Sequence, residues 1–179
     1  MTFPSTQTFP TRISPNDRFE DLVAAAGVRL SNDRMLGGQD DLSRRFAVEK
    51  IAEPRVVPVR LLQATGYHEC VNLDDVHALD RVMDWGFMPL SLHAFLAFLG
   101  QHRGVRTNGR DVTVLDVNIL NGYACVYRYY DREPFKRDLC VFPVRGLDHG
   151  YSVGFLWTEL YAVEPVRPDA RAPVFHNPP

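Results

Sequence analysis

The dipeptide Asn121-Gly122 constrains the fold more than any other feature of this sequence. It separates two segments of strand-like composition, residues 112–120 and Tyr123–Tyr130. Asn-Gly readily takes the two positive-φ positions of a type I′ turn, so the two segments are predicted to form a tight β-hairpin. Gly122 is accordingly predicted to have a positive φ.

Helix signals begin near the N-terminus. Ser14 can cap a helix over residues 15–26, Pro15 suits its first position, and Gly27 can end it. The apolar residues of this segment recur at helical spacing, which predicts one buried stripe.

Two more helices are predicted in the middle of the chain. The first begins after Asn72 and ends at Gly86, and the second begins at Ser91 and ends before Gly100. Because only a few residues connect them, they are expected to pack as a helical hairpin.

The remaining strand signals complete the predicted architecture. Residues 46–51, 56–62, 138–144 and 155–163 have strand-like patterns, and Pro58 predicts that its strand is bulged or at an edge. The sequence therefore predicts an α+β domain over residues 15–164. Its antiparallel sheet of about four to six strands is expected to pack against the central helical hairpin, with the N-terminal helix beside them.

Both ends of the chain are rich in proline. Residues 1–14 and 165–179 are predicted to be extended arms without regular structure, because proline removes backbone donors. Phe3, Phe9 and Phe175 are predicted anchors that attach the arms to a surface. Deletion of residues 1–13 is then expected to leave the thermal midpoint nearly unchanged.

Composition narrows the class of protein. The chain has 179 residues, 45% of them hydrophobic, and a net charge of −2. Nucleic acid is disfavoured as the main partner by this charge, and no apolar run reaches the ~20 residues that span a bilayer. The N-terminus has no secretory signal pattern, and the three cysteines fit reduced thiols in a cytoplasm. The expected location is therefore the cytoplasm, or an assembled virion if the chain comes from a phage.

Metal and cofactor sites are not predicted. His68, Cys70, Cys125 and Cys140 are ligand types, but they lack the closely spaced pair that structural zinc sites use. The expectation is therefore no metal and no cofactor.

The leading interpretation contains no catalytic residues. Asp148-His149, in a loop between Gly146 and Gly150, is the best acid–base candidate. It supports a small hydrolase only as a third hypothesis, because no nucleophile motif accompanies it.

The richest candidate surface follows the Asn-Gly turn. By alternation Tyr127 and Tyr129 share one face of their strand and Arg128 lies on the other, while Arg132 and Lys136 follow. Tyrosine and arginine are enriched at protein interfaces, and they can also stack bases and neutralise phosphates. The ordinary alternative is that one tyrosine face packs on the helices and the charges are solvated.

A local resemblance accompanies these patterns. The block from Gly86 to Leu92, followed by Phe95-Leu96-Ala97-Phe98, resembles a pattern of small uncharacterised bacterial and phage proteins. In that pattern a Gly-aromatic-x-Pro turn leads into a leucine-rich helix and strands follow. The resemblance implies a local structure and no chemistry.

Three functions remain open at this point. The leading hypothesis is a non-enzymatic protein that acts through contacts with a protein partner or with itself, for example a structural or inhibitory component of a phage or mobile element. The second is a small nucleic-acid-binding module that uses residues 123–137. The third is the hydrolase around Asp148 and His149.

Overall fold

The computed structural model describes residues 7–32, 51–63, 70–71, 83–105, 112–114, 123–130, 136–143, 156–157 and 160–166. The elements in chain order are β1 (Thr8–Ile13), α1 (Phe19–Ala26), β2 (Arg29–Asn32), β3 (Arg55–Gln63), β4 (Cys70–Val71), β5 (Phe87–Pro89), α2 (Leu92–Gln101), β6 (Val112–Val114), β7 (Tyr123–Tyr130), β8 (Lys136–Pro143), β9 (Leu156–Trp157) and β10 (Leu160–Pro165). This combination confirms the predicted α+β class.

Eight strands form one sheet. Its order is β1-β3-β10-β6-β7-β8-β2, and β5 also pairs with β10. Antiparallel pairing dominates, as predicted, but β10–β6 and β2–β8 are parallel, and the strands outnumber the four to six expected. Parallel neighbours need long crossover connections, which the pattern of a single strand does not reveal. Strands β4 and β9 form a separate antiparallel pair.

Strand β10 lies in the interior of the sheet although it comes late in the chain. One of its edges pairs with β3 from Leu160 to Val163. Its other edge pairs first with β6 and then, from Val163 to Pro165, with β5. Strand β10 therefore joins the N-terminal strands to the later ones.

Pro58 does not place its strand at an edge. Strand β3 lies between β1 and β10, which corrects the prediction. The ladder between β3 and β10 ends at the pair Arg60–Val163, so Pro58 lies beyond it and faces Pro10 of β1 instead. The missing N–H of Pro58 is therefore tolerated inside the sheet.

Helix α1 begins later than predicted and ends where predicted. Ser14 and Asp17 form a turn, in which the Ser14 N–H donates to Asp17 Oδ2 at 2.6 Å and the Asp17 N–H donates to the Ser14 carbonyl at 3.1 Å. The N-cap is Arg18, without a side-chain cap, so Ser14 is not the cap. At the other end Gly27 has φ 63° and its N–H donates to the carbonyls of α1, a conformation that favours glycine.

Helix α2 begins as predicted. The Ser91 hydroxyl accepts a hydrogen bond from the Ala94 N–H at 3.2 Å, which caps the helix. The helix does not stop before Gly100 but continues to Gln101. Gly100 lies at its closest approach to α1, since a Cβ at this position would lie 3.3 Å from Ala25 Cβ. Glycine therefore permits helix packing here and does not end the helix.

The core lies between the sheet and the two helices. Helix α2 contacts α1, β1 and β3, and all residues from Leu92 to Leu99 are buried. On the sheet, alternate residues of β1 and β3 face this layer, among them Ile13, Val57 and Val59. The first helix of the predicted helical hairpin falls on residues 72–82, which lie outside the described residues. Among the described elements, α1 is the helix that packs against α2.

Strand β1 corrects the prediction for the N-terminal arm. Residues 1–14 were expected to lack regular structure, but Thr8–Ile13 pairs along its whole length with β3. Phe9 is buried against Phe98 of α2, with ring centroids 5.4 Å apart, so this anchor belongs to the protein's own core. Pro10 misled the prediction because an edge strand accepts proline where its nitrogen faces outward. Phe3, Phe175 and residues 167–179 lie outside the described residues, and the division into one domain with two arms stays a prediction.

The register beside β7 differs from that of the predicted hairpin. A two-residue turn at Asn121-Gly122 with a continuous ladder places residue 116 opposite Tyr127, whereas Val112 lies opposite Tyr127. The difference is four residues, so the ladder at Val112–Val114 does not continue residue by residue into such a turn. Asn121, Gly122 and the segments 46–50 and 115–120 lie outside the described residues. The predicted strand Tyr123–Tyr130 has the expected bounds.

Membership of β1 in the core can be tested with two neighbouring residues. Ile13 is fully buried, whereas the side chain of Arg12 is exposed. We expect Ile13→Ala to lower the free energy of unfolding by about 2–5 kcal/mol and Arg12→Ala to change it by less than about 0.5 kcal/mol, measured by urea denaturation. If both variants unfold like the wild type, β1 does not contribute to the core. Deletion of residues 1–13 is now expected to destabilise the protein strongly.

The close approach of the helices gives a second prediction. Gly100→Leu should lower the free energy of unfolding by about 1–3 kcal/mol, because the new side chain overpacks the contact with Ala25. Gly104→Leu is the matched control, since nothing lies within 4 Å of a Cβ at position 104. Equal thermal and denaturant midpoints for the two variants would contradict the close packing.

Candidate functional site

Three consecutive residues at the C-terminal end of α2 bind the backbone of other elements. Gln101 binds Arg12, His102 binds Pro10, and Arg103 binds Ala25 at the end of α1. The first two contacts reach the outer edge of the sheet. We call the contacts of Gln101 and His102 with the β1 backbone the edge clasp.

Gln101 imitates a neighbouring strand. Its Oε1 accepts from the Arg12 N–H at 2.9 Å, and its Nε2 donates to the Arg12 carbonyl at 2.6 Å. Both backbone groups of Arg12 face away from β3, so they belong to the free edge of the sheet. One side-chain amide thus satisfies both groups.

His102 holds the same edge through its ring. Its Nε2 lies 3.0 Å from the Pro10 carbonyl oxygen, to which the N–H tautomer can donate. The ring also packs against Phe9 and Phe98, with centroid separations of 5.4 Å to each. His102 therefore contributes both an apolar contact and a hydrogen bond to β1.

Arg103 connects the ends of the two helices. Its Nη2 donates to the Ala25 carbonyl at 3.0 Å, beside the close approach of Gly100. A cation at the C-terminal end of α1 also interacts favourably with the helix dipole. This contact fixes the helix pair and does not form part of the edge clasp.

The opposite end of α2 contains a buried histidine. His93 is 4% exposed, and neither of its ring nitrogens has a hydrogen-bond partner among the described residues. Its Nε2 lies 3.8 Å from Asp17 Oδ2, which itself accepts from the Ser14 N–H. A buried polar group without a partner is uncommon and costly, so His93 is a candidate functional residue.

The chemistry open to His93 is limited by its burial. A carboxylate beside a histidine is the orienting half of an acid–base unit. With 4% exposure, however, the ring has almost no surface on which a substrate could meet it. The arrangement therefore supports a connection between the Ser14–Asp17 turn and α2 better than it supports catalysis.

A third feature is a set of exposed apolar side chains on connected segments. Met83, Met88 and Val166 are 47%, 45% and 58% exposed, and they make up three of the four exposed large hydrophobic side chains among the described residues. Their segments are joined at Gly86, whose N–H donates to the Met83 carbonyl and whose carbonyl accepts from the Val166 N–H, each at 2.9 Å. We call these three residues the methionine patch.

The register shows where the predicted binding residues lie. Tyr127 is opposite Val112 on one side and Leu139 on the other, and both of these residues are fully buried. By alternation Tyr129 is on the same face of β7, and it is opposite Arg137. The tyrosine positions thus fall on the face of the sheet that carries Val112 and Leu139.

The charged residues of this predicted surface are only partly described. Arg128 is opposite Asp138, and Lys136 is opposite Tyr130 in the β7–β8 ladder. Arg132, Asp148 and His149 lie outside the described residues. The binding role of Tyr127, Tyr129, Arg128, Arg132 and Lys136 stays a prediction.

The cysteines lie apart on the described strands. Cys70 is on β4, while Cys125 and Cys140 are on β7 and β8. Cys140 is opposite Val126, the neighbour of Cys125, so the two positions are on opposite faces of the sheet. Within the described residues no group of three His, Cys, Asp or Glu side chains is placed to hold a metal ion.

Sequence reasoning missed the edge clasp, His93 and the methionine patch. The end of α2 was placed before Gly100, so the three polar residues after it were outside any predicted element. For His93 the sequence does contain a signal that could have indicated it, which is a histidine inside an otherwise apolar helix. The contact between Gln101 and Arg12 spans 89 residues of sequence and has no local signature.

No protein-family model, curated protein or solved structure matches this chain.

None of the helices in the described part of the chain has both the length and the apolar character needed to span a membrane.

The two histidines of α2 give a matched prediction. His93→Leu should leave the free energy of unfolding unchanged or raise it by about 1–3 kcal/mol, because it removes a buried polar group that has no hydrogen-bond partner among the described residues. His102→Leu should lower it by about 1 kcal/mol, because the bond to Pro10 is lost. Denaturant unfolding checks both, and a large loss in His93→Leu alone would show that the contact with Asp17 stabilises the fold.

Proposed function

We propose that this protein acts by binding a protein partner through the methionine patch. The observation that carries the proposal is the concentration of Met83, Met88 and Val166 at one end of β5 and β10. Unbranched methionine side chains adapt to differently shaped apolar surfaces and are frequent at binding sites. Exposed apolar side chains gathered in this way are more typical of a contact surface than those scattered singly.

The charges beside the patch indicate the chemistry of the partner. Asp84 is exposed next to Met83, and the half-buried Glu164 is opposite Met88 in the β5–β10 ladder. These are the two charged residues of segments 83–90 and 160–166, and both are acidic. A surface with apolar side chains beside a basic group complements the exposed Asp84 carboxylate, whereas a second copy would bring the same carboxylate.

This proposal keeps the leading hypothesis of contacts with another protein but moves the contact surface. Anchors near the centre of an interface carry most of its binding energy. The register supports the methionine patch more than the tyrosines of β7, because their positions face the core side of the sheet. The use of residues 123–137 for nucleic acid, the hydrolase around Asp148 and His149, and an origin in a phage or mobile element stay predictions.

Site-specific photo-crosslinking in the native host tests the proposal. A photoreactive amino acid at position 88 or 166 should give a discrete crosslinked protein, whereas the same amino acid at position 56 should not. Val56, on β3, is the matched control because it is the fourth exposed large hydrophobic residue, at 63% exposure. Adding Asp84→Lys should reduce the crosslinks at position 88, since the charge complementarity is reversed.

The purified partner then allows a quantitative measurement. Met83→Ala and Met88→Ala should each weaken its affinity at least tenfold, about 1.4 kcal/mol, while Val56→Ala should not. The proposal fails if crosslinks are absent at positions 88 and 166, or if position 56 gives the same products.

A further inference from the structure

The outer edge of β1 is one of the two ends of the strand order among the described strands, and strand edges can pair with another chain. Strand β1 is at one end of the strand order, and its outward backbone groups are those of Thr8, Pro10 and Arg12. Pro10 has no N–H, and its carbonyl accepts from His102. Both groups of Arg12 are bonded to Gln101. The edge clasp therefore covers every outward polar group from Pro10 to Arg12.

We infer that the edge clasp is a guard that prevents β1 from pairing with β1 of a second copy of this chain. Unpaired strand edges are templates for such pairing, and proteins that stay separate cover or interrupt them. Here the cover comes from side chains of α2, and Pro10 supplies the interruption.

The geometry of the blocked pairing identifies the second copy as the occupant. Two β1 strands related by a two-fold axis through Pro10 are antiparallel, with Thr8 of each copy opposite Arg12 of the other. The backbone N–H and carbonyl groups of Thr8 and Arg12 face outward, so each such pair exchanges two N–H···O bonds. The central Pro10 pair contributes none, so the complete ladder has four bonds, and every one involves Arg12.

Gln101 is thus sufficient to block the whole ladder. It occupies the N–H and the carbonyl of Arg12, and no bond of the pairing avoids both groups. A side-chain amide on the same chain competes at a high effective concentration with a strand that must arrive from another molecule. Opening the edge clasp should therefore convert this edge into a self-association surface.

The first measurement tests the bonds of the edge clasp in the full chain. In Gln101→Ala the amide of Arg12 should exchange with solvent at least tenfold faster than in the wild type, measured by NMR hydrogen exchange at a concentration at which the variant is not associated. Arg103→Ala is the matched control, because it removes a neighbouring bond to Ala25 and leaves the edge clasp intact. Unchanged exchange at Arg12 in Gln101→Ala overturns the inference.

The second measurement tests the guard. In sedimentation velocity Gln101→Ala should form a faster-sedimenting associated species. The wild type and Arg103→Ala should not form this species at the same concentrations. Arg12→Pro added to Gln101→Ala should weaken this association at least tenfold, because it removes two of the four donors and leaves the bonds to β3 unchanged. If Gln101→Ala unfolds, Gln101→Met serves in its place, since it keeps a side chain of similar length and makes neither bond to Arg12.

Two outcomes overturn the inference. One is faster exchange at Arg12 in a folded Gln101→Ala or Gln101→Met protein whose sedimentation matches that of the wild type. The other is association that persists undiminished when Arg12→Pro is added, since the contact then lies elsewhere on the molecule.

Discussion

The complete burial of α2 is the constraint on which the rest of the fold depends. Eight consecutive residues, from Leu92 to Leu99, are buried, which covers more than two turns and therefore every side of the helix. Such a helix cannot lie on the surface with one face in water, and it needs neighbours all around. The sheet supplies one side through β1 and β3, and α1 supplies another. The glycine at position 100 then follows from this packing, because α1 approaches the helix too closely there for a larger residue.

The two ends of α2 connect it to the surrounding elements by polar contacts of different quality. At the N-terminal end Ser91 caps the helix, and His93 lies 3.8 Å from Asp17 and has no hydrogen bond to the described part of the chain. At the C-terminal end Gln101, His102 and Arg103 each form well-directed bonds with backbone groups. Individual bonds of this kind contribute about 1 kcal/mol, far less than the burial of the apolar helix. Their main effect is to fix which strand edge and which helix end meet α2.

The sequence predicted the features that local chemistry controls. The cap at Ser91, the left-handed Gly27 and the bounds of Tyr123–Tyr130 each depend on a few neighbouring residues, and all three are found. The features it missed depend on distant partners. The prolines near the N-terminus predict an extended arm without regular structure, whereas Pro10 faces outward at the edge and β1 forms. The edge clasp and the parallel pairing of β10 with β6 join residues far apart in sequence, and no periodicity records such pairings.

The position of β10 has a consequence for how the chain is made. On the ribosome β1, β3, β5 and β6 emerge long before residue 160, yet β10 must lie between β3 on one side and β5 and β6 on the other. Until then the nascent chain exposes two incomplete half-sheets, each with an open edge and apolar side chains. A premature stop codon anywhere before β10 would leave those edges open permanently. The strand order therefore delays the completion of this sheet until β10 has been synthesised.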